Sequence, residues 1–173
     1  MIKWPGTVFS SKKAQRLYTK ELHDLLSVHT PPRGNLSKHS RFIFIGIKPG
    51  HTYAHLSKYD TSWMFGNSST VLHKALVSLG IYPYFTNVYK DPFQETDGNV
   101  DGIIKELSVI LHMYTKIYKV QMPTVVLMGD YPEYDKIECT FNDVLFKRIW
   151  HPSYIARSLS EDRMNKWKQQ ILQ

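Results

Sequence analysis

Three short strings hold the side chains best suited to chemistry: GIKPGH at residues 46–51, TNVYK at 86–90 and HPSYIAR at 151–157. The first places the amine of Lys48 between Gly46 and Gly50, where the missing Cβ atoms permit a close approach by another group. Asn87 supplies a carboxamide, donor and acceptor together, which can read the edge of a planar ligand or cap a turn. His151 supplies an imidazole, Ser153 a hydroxyl and Arg157 a guanidinium within one loop. Metal chemistry is not expected: His51 and His55 are four apart without an evident third ligand, and read as solvated loop histidines. The single cysteine, Cys139, excludes an intramolecular disulfide and a four-cysteine cluster, and reads as a free core thiol. GIKPGH also lacks the GK[ST] of a phosphate loop and the GxGxxG spacing, which puts a nucleotide-binding enzyme last among the readings.

Each string follows an apolar run. FIFIGIKPG, from Phe42, reads as a buried parallel strand entering a sharp turn, and Tyr84 to Val88 reads as a second strand whose end lies beside it. Thr124 to Met128, followed by Gly129, and Val144 to Trp150 read as two more strands. Helices are predicted over Ser68 to Leu79, over Gly102 to Val120 with Ile103, Ile104, Leu107, Ile110 and Leu111 inward, and over Ser160 to Leu172 with Ser160 as N-cap. Lys12 to Val28 has an imperfect helical spacing, giving an N-terminal helical segment within about residues 1–40, and His29 to Ser40 reads as a loop. Strand and helix alternate, so the expected fold is a single-domain three-layer α/β/α sandwich with a central four-stranded parallel sheet. In such sheets ligands bind beyond the carboxyl ends of the strands, where all three strings fall.

A chain of 173 residues favours one domain with a real core. Hydrophobic residues at 42% and charged residues at 21% set it apart from disordered and collagen-like classes. No apolar run suits a bilayer span or a signal peptide, so an intracellular location is expected, cytoplasmic, or nuclear in a eukaryote. A formal net charge of +7 suits an anionic partner, nucleic acid first.

Taken in order and at strand ends, the three strings resemble the uracil-DNA glycosylase superfamily, over roughly Arg41 to the end of the chain. Its members carry a GxxPG-type turn after the first strand, an Asn after the second or middle strand and an HPS loop after the last. Ser68 to Lys90 and HPSYIAR are similar in outline to the iron–sulfur branch. The resemblance implies a monomeric DNA glycosylase, a hydrolase of base-excision repair acting on an extruded or single-stranded pyrimidine. Asn87 would pair with O4 and N3–H of uracil, and His151 would donate to O2 as negative charge develops on the departing base. Gly46 and Gly50 would line the base pocket, and Phe65 would stack on the base, with Tyr53, Trp63 and Met64 as further aromatic or apolar choices in the same loop. Ser153 would meet a phosphate, Lys90 and Arg157 would add charge, and Ile155 or Leu159 would wedge into the vacated space.

The chain departs from the pattern in three places that bear on chemistry. The cluster cysteines of the iron–sulfur branch are absent, so no cofactor is expected. Lys48 stands where water-activating members have Asp or Asn, and is assigned a phosphate contact in preference to Schiff-base nucleophile. Gly50 stands where the strictly uracil-selective branch has Tyr, leaving room for a C5 substituent. Two alternatives keep the fold: a group-transfer enzyme acting on a modified base, and a non-catalytic DNA-binding module.

Overall fold

The computed structural model describes residues 7–9, 33–36, 41–48, 67–81, 83–91, 93–158 and 160–173. Among these, strands β1 (Thr7–Phe9), β2 (Arg33–Leu36), β3 (Phe42–Gly46), β4 (Tyr84–Asn87), β5 (Thr124–Met128) and β6 (Phe146–Ile149) form one sheet, ordered β1-β2-β4-β3-β5-β6. The four strands β4-β3-β5-β6 are mutually parallel, as the alternation of apolar runs with helical spacing requires. Helices α1 (Asn67–Ser78), α2 (Asp101–His112), α3 (Pro132–Thr140), α4 (Pro152–Ala156) and α5 (Glu161–Leu172) pack around them.

Strand periodicity divides the core into two layers. On β3, Ile43 and Ile45 point to one face and Phe44 to the other; on β5, Val125 and Leu127 oppose Val126 and Met128. The first face is covered by Ile103, Leu107, Ile110 and Leu111 of α2 with Tyr134 and Ile137 of α3. The second is covered by Val71, Leu72, Ala75 and Leu76 of α1, Ile155 of α4, and Trp167 and Ile171 of α5. The crossover from β3 to β4 thus lies on one face and the next two on the other, which makes the β3–β5 boundary the topological switch point of the sheet.

Several boundaries move from their predicted places. The last parallel strand is shorter than Val144–Trp150, and α2 passes into a π-helical stretch, Met113–Tyr118, that ends at Lys119 in the left-handed region with φ 52°. Ser160 does cap α5, its Oγ accepting from the Arg163 N–H at 3.2 Å. Part of the predicted loop His29 to Ser40 is strand β2, with Arg33 and Gly34 antiparallel to Phe85 and Tyr84 and β1 parallel beyond it. Pro and Gly hide that strand locally; the open edge of β4 supplies the partner that propensity does not. Helix α3 was not expected, and it carries Cys139 to an exposed position, correcting the reading of a core thiol. The predicted helix Lys12–Val28 lies outside the described residues. No described helix is long and apolar enough to cross a membrane.

Candidate functional site at the carboxyl edge of the sheet

The ends of β3 and β4 are in register, with Gly46 opposite Asn87. Pairing continues past both strands: Val88 N–H donates to the Gly46 carbonyl and Tyr89 N–H to the Ile47 carbonyl, each at 2.9 Å. The first two strings are therefore zipped together, Lys48 following half-buried in the same turn. A Cβ on Gly46 would lie 2.5 Å from Asn87 Oδ1, so glycine is required there by close approach of the carboxamide. Asn87 is only 7% exposed, yet among the described residues no hydrogen-bonding group meets its side-chain amide. Buried polar groups are nearly always bonded, so an amide held in this state calls for a ligand or a neighbouring segment to complete it. The turn-capping alternative is not used: the contact that Asn87 makes to its own turn is through its carbonyl, which accepts from Lys90 Nζ at 2.7 Å.

That lysine is the first of the expected DNA contacts to be corrected. Lys90 turns inward, its ammonium donating to Thr86 Oγ1 and forming an ion pair with Glu106 Oε2, while the Tyr84 hydroxyl donates to Glu106 Oε1 at 3.1 Å. Glu106 is wholly buried on α2. Burial pushes the Lys90 pKa down and Glu106 opposes that shift. The group braces the Asn87 turn from below instead of meeting phosphate. Ile155 is corrected likewise: it is 0% exposed in the core beneath α4 and is not available as a wedge.

His151 stands at the end of β6 as the N-cap of α4. Its Nδ1 accepts from the Ser153 N–H at 3.1 Å and lies 2.7 Å from Ser153 Oγ. An acceptor at Nδ1 puts the ring proton on Nε2, so the neutral imidazole keeps one donor for a ligand. Ser153, expected at a phosphate, is thus an orienting group for the ring. Burial first, and the exposed Arg157 guanidinium second, hold the His151 pKa below the ordinary histidine value. Because the folded value lies below the unfolded one, stability conferred by the neutral ring is intact above pH of about 6.5 and is lost as pH falls towards the folded pKa. An NMR titration should place the ring below about 6.5, with Arg157→Ala moving it upward. A midpoint at or above that value would contradict the half-buried, donor-facing placement.

Two further groups shape the edge. The Tyr134 hydroxyl lies between the carbonyls of Ile45 and Met128, at 3.2 and 3.1 Å, and ties β3 to β5 at the switch point. The Tyr89 hydroxyl donates to Glu133 Oε1 at 2.9 Å and accepts from the Gly98 N–H, and burial with Glu133 pushes its pKa up to about 12. The sequence does carry a signal for the helix that brings Tyr134 and Glu133. Pro132 at its first turn, with Glu133 and Asp135 beside it, is a helix-opening pattern.

Asn87, Gly46 and Lys48 therefore meet at one pair of strand ends, and His151 with Ser153 stands at the same edge beyond β5. Gly50, Phe65, Tyr53, Trp63, Met64, His51, His55 and Leu159 lie outside the described residues. No group of three potential metal ligands occurs among the described residues. No protein-family model matches this chain, and no curated relative matches it.

Proposed function

We propose that the protein is a DNA glycosylase-like enzyme that binds an extruded or single-stranded uracil, or a C5-substituted uracil, and cleaves its N-glycosidic bond. The observation that carries this reading is the buried carboxamide of Asn87 beside Gly46, without a partner among the described residues, at the same sheet edge as a His151 whose Nε2–H likewise meets none of them. At a strand spacing of about 4.8 Å, the ends of β4 and β6 are about 14 Å apart, which leaves room over β3 and β5 for a planar six-membered ring. Asn87 supplies the donor and acceptor that match O4 and N3–H, and His151 supplies a donor for O2. Cleavage moves the bonding pair to the base while a water adds to the sugar C1′ and gives up its proton to solvent or to the departing base, so a neutral donor aimed at O2 gains strength as charge develops. The imidazole need not be cationic to act, and its lowered pKa keeps it in the donor form through neutral pH.

Oligonucleotides carrying uracil, mismatched thymine or 5-hydroxymethyluracil, incubated with the protein and then heated in alkali, test this directly. Strand breaks at the modified position are expected for at least one base. Intact strands throughout, with binding retained, would exclude excision of these bases.

A second reading, group transfer on a modified base, is favoured by Lys48, a half-buried amine in the turn beside Gly46 and Asn87. Mass spectrometry of the same reactions separates the two, since a base altered in place changes mass without a strand break. Within the glycosylase reading Lys48 binds a phosphate, because a protonated amine is no base and opposes a developing sugar cation. Borohydride is therefore expected to trap no protein–DNA adduct, and Lys48→Ala to weaken DNA binding and flatten its salt dependence. A trapped adduct that vanishes in Lys48→Ala would make the amine a nucleophile.

A further inference from the structure

Beside His151 a cleft of about 410 Å³ opens between the ends of β5 and β6 and helices α4 and α5. Its walls include Asp130, Trp150, His151, Tyr154 and Gln170. Trp150 and Tyr154 are 39% and 46% exposed, with ring centres 5.2 Å apart in an edge-on arrangement. Rings of this size gain by burial, yet Trp150 is held at the surface from both sides of its backbone. Its N–H donates to Gln170 Oε1 at 3.1 Å, and its carbonyl accepts from the buried Trp167 indole at 2.9 Å. On Tyr154 the Arg163 guanidinium sits 4.6 Å from the ring centre.

Charge around the cleft is one-sided. Arg148 is occupied by Asp130 at 3.3 Å, Glu138 at 2.8 Å and Asp135, so the α3 side is acidic in balance. Arg157, just past the end of α4, and Arg163, on α5, form no ion pair among the described residues. A ligand with an aromatic body and an anionic thread would put its ring against Trp150 and Tyr154 and its charge over α4 and α5. We infer that the Trp150–Tyr154 pair is a stacking platform for an unpaired nucleobase of single-stranded DNA, its phosphates directed to Arg157 and Arg163. This rests on the proposed function, in that the stacked base is a neighbour, on the same strand, of the one held by Asn87 and His151. His151 lines the cleft and so stands between the two positions. Stacking of this kind is indifferent to base identity, because every base has a π-face.

The test uses the full chain and two oligomers of equal length: oligodeoxyadenylate, which offers no pyrimidine to the Asn87 site, and a tetrahydrofuran abasic strand, which offers phosphates alone. The parent should prefer the adenine strand. Trp150→Ala should weaken that binding roughly tenfold and leave abasic binding unchanged, with Trp150→Phe retaining most of the preference. Should the alanine variant fold poorly, indole fluorescence of the parent serves instead, since the adenine strand should quench it and the abasic strand should not. Equal affinity of the parent for both strands, equal losses in Trp150→Ala, or no differential quenching would overturn the platform. None of these readouts involves base release. A protein that excises uracil but treats both strands alike loses the platform and keeps the glycosylase reading, and one that prefers the adenine strand yet excises nothing does the reverse.

Discussion

Asn87→Ala and His151→Ala are each expected to lower base release by on the order of a hundredfold or more, the usual cost of one transition-state donor, while affinity for undamaged DNA stays near that of the parent. The expectation follows from where the two groups sit. Asn87 is 7% exposed with its amide against Gly46, so its carboxamide is placed before any ligand arrives and little reorganisation accompanies binding. His151 is oriented through Nδ1 by Ser153, which leaves Nε2–H as the donor. In the proposed reaction neither group is placed on a phosphate, so removing them would act on the reacting base and spare any sequence-independent attraction of DNA to a chain with net charge +7. Single-turnover rates on the base that the parent processes best, with filter binding of an undamaged strand, measure both quantities. Near-parent turnover by a folded variant would remove that residue from the mechanism.

Lys90→Ala is expected to destabilise the fold by about 3–5 kcal/mol, the range for breaking a buried ion pair from one side. Glu106 is 0% exposed, and the substitution would leave its carboxylate with the Tyr84 hydroxyl as the remaining partner among the contacts at this site. Removing charge from both sides should cost less: Lys90→Met with Glu106→Gln keeps an acceptor for Tyr84 and leaves no buried charge. Urea unfolding of Lys90→Met, Glu106→Gln and their double variant forms the cycle, and losses that simply add in the double would show that the pair is not energetically coupled. Because Lys90 also donates to the Asn87 carbonyl at 2.7 Å, the double variant should fold yet release base more slowly than the parent.

The two residues differ in how legible they were. Asn87 follows a run of apolar and β-branched residues, and the carboxyl end of a parallel strand is where a site belongs, so its position could be read directly. Lys90, three residues on, looked equally suited to a ligand. It failed that expectation because its partner Glu106 lies sixteen residues away on α2, and no local pattern distinguishes a helix glutamate that is buried from one that is solvated. Ile155 failed for a related reason: a short helix after a loop can turn its apolar residue outward or inward, and packing of α4 with Phe44, Val71 and Trp167 decides the matter.

Sequence by itself determined the four parallel strands and two of the three helices that join them, all but α3, because a buried strand needs an apolar run and an amphipathic helix needs its period, and both are local requirements. It also determined that glycine, asparagine and histidine would arrive at one edge, since parallel strands align their carboxyl ends. Tertiary structure alone decided which polar groups are used up in the scaffold and which are left open. Gly34 became part of strand β2 because β4 offered it a partner; Ser153 turned to His151; and Tyr134 was committed to the carbonyls of Ile45 and Met128. Hydrogen-bond satisfaction depends on what stands three ångströms away, a property of the packed chain that residue order expresses only through the completed fold.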